Sequence, residues 1–223
     1  MIRGKDPMSQ QHRNNSIKYW EQIHRDNARE KIRTDDWLED FDEIILKAER
    51  PILDLGCGSG NDTLYLLNKG KQVIACDQSE NAIGCIRRDF PEITEARCFN
   101  MLDGLPFENE SFEIVIADLC LHYFGGEDTL FVISEIGRIL IPGGHLFLRV
   151  NSVNDKNHGA GRGKEIERHV YETEAGTIKR FFDEEDIRYY FGSFELRYLK
   201  EETMDRYRLK KRLFRVCARK PAV

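Results

Sequence analysis

The stretch Ile52-Leu53-Asp54-Leu55-Gly56-Cys57-Gly58-Ser59-Gly60-Asn61-Asp62 decides the fold. An apolar run carries an acid near its end, a glycine-rich turn follows, and the turn opens a helix over 61–69. Glycines at 56, 58 and 60 let the backbone turn sharply and approach a ligand with no side chain in the way. Such strand–turn–helix units hold nucleotide-like cofactors, and the acid discriminates among them. A dinucleotide lays its anionic pyrophosphate on the helix N-terminus, where Asp54 would oppose it. The Gly-x-Gly-x-x-Gly spacing of nicotinamide dehydrogenases is also missed, because Asn61 stands where the third glycine belongs. A cofactor with a cationic or zwitterionic end suits Asp54 better.

Working outward, 71–77 reads as the next strand and ends in Asp77, 21 residues after Gly56. An acid at that distance is placed to hydrogen-bond a ribose hydroxyl. Strands are expected at 51–55, 72–76, 95–99, 112–117 and 144–150, and helices at 61–69, 80–88 and 127–140. This alternation implies a parallel sheet covered on both faces, with right-handed crossovers. Pro142-Gly143-Gly144 is read as the stop of the third of these helices. Upstream, 17–27 carries Tyr19, Trp20 and Ile23 and is a candidate helix. The segment 35–46 has helical periodicity at 37, 38, 41, 44 and 45, with Thr34 or Asp35 as its cap. Downstream, Asp183-Glu184-Glu185-Asp186 opens a capped helix, and strands are expected at 194–199 and 213–218.

The 223 residues are read as one core domain, 51–223, preceded by a helical segment 1–50 that packs on it, with a possible leader at 1–7. A hydrophobic content of 40% and a charged content of 33% describe a soluble globular chain. No apolar run approaches the roughly 18 residues of a membrane span, so no membrane partner is expected. The six cysteines, at 57, 76, 85, 98, 120 and 217, form no Cys-x-x-Cys pair and no zinc-ligand spacing with a histidine. Neither metal nor disulfide is therefore expected, and the usage suits a reducing, cytoplasmic setting. A net charge of −5 disfavours a general nucleic-acid binder. The basic run 206–212 is read as a solvated turn whose charges guard an edge strand.

Four blocks, ILDLGCGSG, VIACDQSENAI, LPFENESFEIVIADLCLHYF and EIGRILIPGGHLFLRV, occur in that order between Pro51 and Val150. Together they resemble the successive motifs of class I S-adenosylmethionine-dependent methyltransferases. The resemblance implies a Rossmann-like, doubly wound, mostly parallel seven-stranded sheet with an antiparallel last strand and helices on both faces. It implies S-adenosylmethionine as cofactor and S-adenosylhomocysteine as product. Gly56, Cys57, Gly58 and Gly60 would then supply close backbone contact to the methionine half, with Asp54 facing its ammonium group directly or through water. Asp77 would accept from both ribose hydroxyls, and Gln78 follows it toward the adenine edge. After the third strand such proteins carry an acid for the adenine amino group. Here Asn100 holds the equivalent place and Asp103 lies three residues on, so both stand as candidates, with Met101 as apolar contact. Asp118 and the backbone of Leu119 would line the sulfonium end. His122 is a candidate general base, and Tyr19 and Trp20 are candidates for closing the cofactor site.

The sequence leaves the acceptor open. The Asn/Asp-Pro-Pro-Tyr/Phe signature resembling adenine or glutamine N-methyltransferases is replaced by Asp118-Leu119-Cys120-Leu121. A small polar molecule is the expected acceptor, with RNA or protein as the alternative. The chain is expected to be a monomer or a homodimer. A non-catalytic domain that only binds S-adenosylmethionine remains a further reading. The segment 151–180 is expected to form a substrate-facing lid. The other reading is a small β excursion, around 169–171 and 177–181, that only packs on the surface.

Overall fold

The computed structural model describes residues 7–29, 32 and 35–222. The chain opens with α1 (Pro7–Asp26) and reaches the sheet through a 3-10 turn (Glu39–Phe41) and α2 (Asp42–Lys47). Next come β1 (Ile52–Leu55), α3 (Asn61–Asn68), β2 (Val73–Asp77), α4 (Glu80–Asp89), β3 (Glu95–Cys98), β4 (Phe112–Asp118), α5 (Gly126–Ile139) and β5 (Leu140–Asn151). A small antiparallel sheet of β6 (Lys164–Glu167), β7 (Val170–Glu172) and β8 (Ile178–Arg180) follows. The chain closes with α6 (Glu184–Tyr190), β9 (Glu195–Met204) and β10 (Lys211–Arg219).

The main sheet has the order β3-β2-β1-β4-β5-β10-β9. Neighbours from β3 to β5 pair in parallel, and β10 runs antiparallel to both β5 and β9. This is the seven-stranded, doubly wound sheet the sequence led us to expect. Central parallel strands must be apolar on both faces, and the two-residue period sorts their side chains. Leu53, Leu55, Val115, Ala117, Leu146, Leu148 and Val150 pack beneath α5 and α6, against Val132, Ile136, Ile187 and Phe191. Ile52, Ile114, Ile116 and Phe147 face the other way, onto Tyr65 and Leu66 of α3 and onto Trp37, Phe41 and Ile45. The same period sends Asp54, Asp118 and Arg149 toward this second face. Asp118 lies opposite Arg149 in the register, and Arg149 lies opposite Arg215.

Local signals explain the helix starts. Ser79 caps α4 by accepting from Ala82 N, and Asp183 with Asp186 forms a reciprocal capping box at α6. Gly60 precedes α3 at φ +85°, where a Cβ would come within 2.5 Å of the Phe90 ring. Only glycine meets both demands.

Several expectations are corrected. The N-terminal helix begins at Pro7 rather than 17, because the polar turns of 7–16 carry no apolar stripe to announce them. The leader residues 1–6 and the candidate cap Thr34 lie outside the described residues. The segment 35–46 is not one helix: the chain turns at Trp37 and Leu38 to bury both, then forms the 3-10 turn and the six-residue α2. β5 starts at Leu140, and Pro142-Gly143-Gly144 falls within it, where the register against β4 shifts between Phe112 and Ile114. The β excursion in 151–180 is real and includes a strand, β6, that the periodicity did not suggest. β10 is an interior strand and β9 takes the edge, so the basic run guards no edge at β10. No helix among the described residues is long and apolar enough to cross a membrane.

Candidate active site

The carboxyl ends of β1, β2 and β4 open into a cavity of about 490 Å³, within the roughly 300–1,000 Å³ typical of small-ligand sites. α1 forms its roof. Ser16, Tyr19, Trp20, Ile23, His24 and Asn27 recur at three- and four-residue spacing, so one helical stripe faces the cavity. The roof is tied down on both sides. Glu21 accepts from Glu80 N at 2.6 Å, Asn81 N at 3.3 Å and Ser79 Oγ at 3.1 Å, all at the start of α4. Burial pushes the Glu21 carboxyl up, but these donors outweigh it and hold it below the usual range. Toward the small sheet, Asn15 Nδ2 donates to Gly176 O at 2.9 Å, and His12 Nε2 lies 3.3 Å from Glu172 Oε1. Inside, the Trp20 and Tyr123 rings meet edge to face at 5.1 Å.

One end of the cavity is built by the glycine turn and the ends of β2 and β3. Gly56, Cys57 and Gly58 line it. Gly56 sits at φ +76°, where a Cβ would strike Cys120 Cβ at 2.5 Å. Asp77 is reached by Gly58 N at 3.0 Å and Ser79 N at 2.9 Å, one on each carboxylate oxygen. Each oxygen keeps a further lone pair. Burial pushes Asp77 above the usual carboxylate range, against the pull of His24 and of these backbone donors. Gln78, Asn100 and Met101 complete this wall. Asn100 Nδ2 donates to Gln78 Oε1 at 3.0 Å, and Leu102 N donates to Asn100 Oδ1 at 2.9 Å. Asp103 is largely exposed and pairs with Arg13, away from the cavity. Of the two candidates, Asn100 is therefore the one in the wall.

Three acids crowd the middle in different states. Asp54 is 1% exposed and stands behind the wall, accepting from Thr63 Oγ1 at 2.5 Å. Burial pushes it up to about 7, helped by the nearby Asp118 charge and opposed by Thr63. Asp62, which the sequence reading did not single out, lines the cavity and accepts from Trp37 Nε1 at 2.8 Å. Burial, then Asp118 and Asp54, push it well up. Asp118 is the opposite case. It receives Arg149 Nε at 2.6 Å, Arg149 Nη2 at 2.8 Å and Arg206 Nη2 at 2.7 Å. Burial opposes its ionisation, but the two guanidiniums hold it down to about 2. Arg149 also bonds Asp35 at 2.7 Å and lies 4.6 Å from the Trp37 ring centroid. Environments that push neighbouring carboxyls apart are typical of functional sites. Leu119 follows at φ +53°, its N–H donating to Arg149 O at 3.0 Å. A non-glycine residue held there is strained.

Besides Asp54 and Asp103, two more candidates do not line the cavity. Gly60 packs beneath Phe90 and does not face the cavity. His122 is 1% exposed, packs on Tyr123 at 4.3 Å between centroids, and does not line the cavity. Burial, then Lys211 and Lys179, push it well below the ordinary histidine value. A general base must reach the proton it removes, so this placement counts against that role for His122.

The far end of the cavity is made of Tyr123, Phe124, His158, Lys179, Arg206 and Tyr207, with Lys211 beside them. Two members of the basic run turn inward while Arg208, Lys210 and Arg212 stay exposed: Arg206 has a side chain only 7% exposed, and Lys211 Nζ lies 3.2 Å from the buried Asp155. The sequence reading expected 151–180, which supplies His158 and Lys179, to face the substrate, but it missed the contribution of Arg206, Tyr207 and Lys211. The available signal was a turn mixing Arg, Lys and Tyr between two strands that meet at the carboxyl edge.

Residues 53–148 match the family described as Methyltransferase domain. A methyltransferase-like protein of Schizosaccharomyces pombe is 31% identical over 121 residues, covering 54% of this chain and 44% of that protein. A tRNA N(3)-methylcytidine methyltransferase of the same yeast is 28% identical over 205 residues, covering 80% of this chain and 78% of its own length. The crystal structure of an S-adenosylmethionine-dependent methyltransferase of Methanosarcina mazei shares the fold, with a TM-score of 0.69 at 23% identity, covering 82% of this chain and 98% of that one. The chain spans about half the length of the first curated relatives it matches, 44% of one and 48% of another. A glycine turn after β1, an acid closing β2, the strand order and the matched domain agree: residues 53–148 carry a methyltransferase domain, on a fold shared with S-adenosylmethionine-dependent methyltransferases.

Proposed function

We propose that the chain binds S-adenosylmethionine beneath α1 and transfers its methyl group to a nucleophile on a small polar molecule. The observation that carries this reading is one roofed cavity with two chemically different ends. The residues at the first end fit the cofactor. Gly56 and Gly58 offer bare backbone, Asp77 keeps lone pairs for two ribose hydroxyls, and Gln78, Asn100 and Met101 flank the place for a purine. Asp62 stands in the wall for the amino-acid end, with Asp54 behind it.

S-adenosylmethionine supplies an electrophilic sulfonium methyl, so the cofactor carries the hard chemistry. The chain's task is to bind, orient and exclude water. Asp118, clamped by Arg149 and Arg206, fixes the end of β4 between the two halves of the cavity. Trp20 and Tyr123 close the space from roof and floor. Orientation of this kind is worth roughly 7–11 kcal/mol of barrier, which is why the reading needs no dedicated base.

Isothermal titration with S-adenosylmethionine, S-adenosylhomocysteine and NAD tests the cofactor half. Micromolar binding of the first two and none of NAD is expected; binding of NAD alone overturns the reading. Transfer of labelled methyl to a metabolite extract tests the acceptor half. A second reading, methylation of tRNA, is favoured by the resemblance to the yeast tRNA enzyme across 80% of this chain. Label entering a tRNA pool and not the metabolites would replace the small-molecule acceptor with RNA. Label entering neither, with cofactor bound, would favour a domain that only binds the cofactor.

A further inference from the structure

Among the described residues, the far end of the cavity has one cation more than its acids pair with. Arg149 and Arg206 share Asp118, and both approach Asp35. Lys211 Nζ and His158 Nδ1 both turn to Asp155, at 3.2 and 2.9 Å. Lys179 has no carboxylate within ion-pair distance among the described residues. Its Nζ donates to the His158 carbonyl at 3.0 Å and lies 5.6 Å from the Phe181 ring centroid. An ammonium has three N–H donors, so this neutral contact leaves capacity unused. Burying a charge without a counter-ion is costly. The strain registers on the group itself: burial, then the neighbouring Lys211, pull Lys179 down to about 8, against the pull of Asp155.

Aromatic rings share the cavity with this cation: Tyr123, Phe124 and Tyr207 line it with Lys179, and the half-exposed Tyr207 ring lies 5.6 Å from the ring of His158, whose carbonyl Lys179 contacts. β8 supplies the lysine, the end of β4 leads into Tyr123 and Phe124, and the β9–β10 turn supplies Tyr207. Flat apolar surfaces beside one uncompensated positive charge suit a ring that carries an acid. We infer that this end is the acceptor subsite, built for a small aromatic molecule bearing a carboxylate that pairs with Lys179. The inference rests on the methyl-transfer reading and deepens it by naming the acceptor class. The enclosure favours a small molecule over a polymer, because α1 is tied to α4 through Glu21 and to the small sheet through Asn15 and His12.

The test uses protein saturated with S-adenosylhomocysteine, titrated with benzoate and with benzamide, which share a ring and differ in charge. Benzoate is expected to bind at least tenfold more tightly than benzamide. Lys179→Met should abolish that preference while leaving the affinity for S-adenosylhomocysteine unchanged, and Lys179→Arg should retain it. Equal binding of the two probes, no binding of benzoate, or an undiminished preference in Lys179→Met overturns the subsite. Failure of the wild-type protein to bind S-adenosylhomocysteine overturns both readings. Cofactor binding without a benzoate preference overturns the subsite alone, and if tRNA is then methylated the far end belongs to a polymer.

Discussion

Replacing Asp118 by Asn separates a structural anchor from a catalytic group. The Asp118 carboxylate receives three guanidinium N–H bonds of 2.6–2.8 Å, from Arg149 and Arg206. The side chains of all three residues are under a tenth exposed: 8% for Asp118, 3% for Arg149 and 7% for Arg206. Asparagine keeps one acceptor oxygen but aims an N–H group at a guanidinium, and it leaves two buried cations with Asp35 as their remaining acid. Removing one partner of a buried pair costs about 3–5 kcal/mol. Asp35 is partly exposed and still engages Arg149, so about 3 kcal/mol is expected. For a chain of this size that is roughly 6–12 °C in Tm. Urea unfolding and calorimetry provide the assay, with Arg206→Met and the double variant closing a thermodynamic cycle. The pH dependence is an independent check. Asp118 is held at about 2 when folded, below its unfolded value near 3.9. Its contribution is therefore present above about pH 4 and is lost as pH falls toward 2, and Asp118→Asn should flatten that limb. A variant within about 0.5 kcal/mol of wild type that has lost methyl transfer would refute the anchor argument and make Asp118 a catalytic residue.

Three other outcomes follow from the same geometry. On the proposed reading Asp77 is the acceptor for two ribose hydroxyls, so Asp77→Ala should cost about 2–3 kcal/mol of cofactor affinity; an unchanged titration would reject that role. Glu21→Gln weakens the tie between α1 and the start of α4 by about 1 kcal/mol. Amide exchange in α1 should quicken and S-adenosylhomocysteine should bind more weakly, whereas an unaltered exchange pattern would show that the roof is held elsewhere. Asp54 is raised to about 7 in the folded chain, so the folded state holds an extra proton between about pH 4 and 7. Its contribution is full below about pH 4 and declines as pH rises through 7, by up to a few kcal/mol. Urea midpoints of Asp54→Asn from pH 4.5 to 7.5 should lack that slope, and parallel curves for the two proteins would contradict it.

The parts of the molecule that rest on local rules were legible in the sequence. Gly56, Gly58 and Gly60 signal a turn because each takes a positive φ, and only glycine does so without cost. The helix cap at Asp183 follows from a side chain that bonds the nearest free N–H group. The strand runs 52–55, 112–118 and 146–150 are buried on both faces, and that demand is written into their apolar composition. Asp77 could be placed in the site because it closes the strand next to β1.

What the sequence determined by itself was therefore the alternating core, the glycine turn and the acids at the ends of β1 and β2. All of these depend on neighbours close in the chain or on a two- or 3.6-residue period. The tertiary structure alone decided the rest. Arg206 reads as surface charge until the register brings the start of β10 beside the end of β5, and the Asp118 carboxylate then outweighs its desolvation. Lys179 looks like any exposed lysine of a polar loop until the small sheet carries it to the cavity, where no carboxylate among the described residues comes within ion-pair distance. His122 reads as a pocket base until packing turns it behind Tyr123. Charges and rings find their roles through partners dozens of residues away, and long-range pairing is a property of the assembled sheet rather than of any local window.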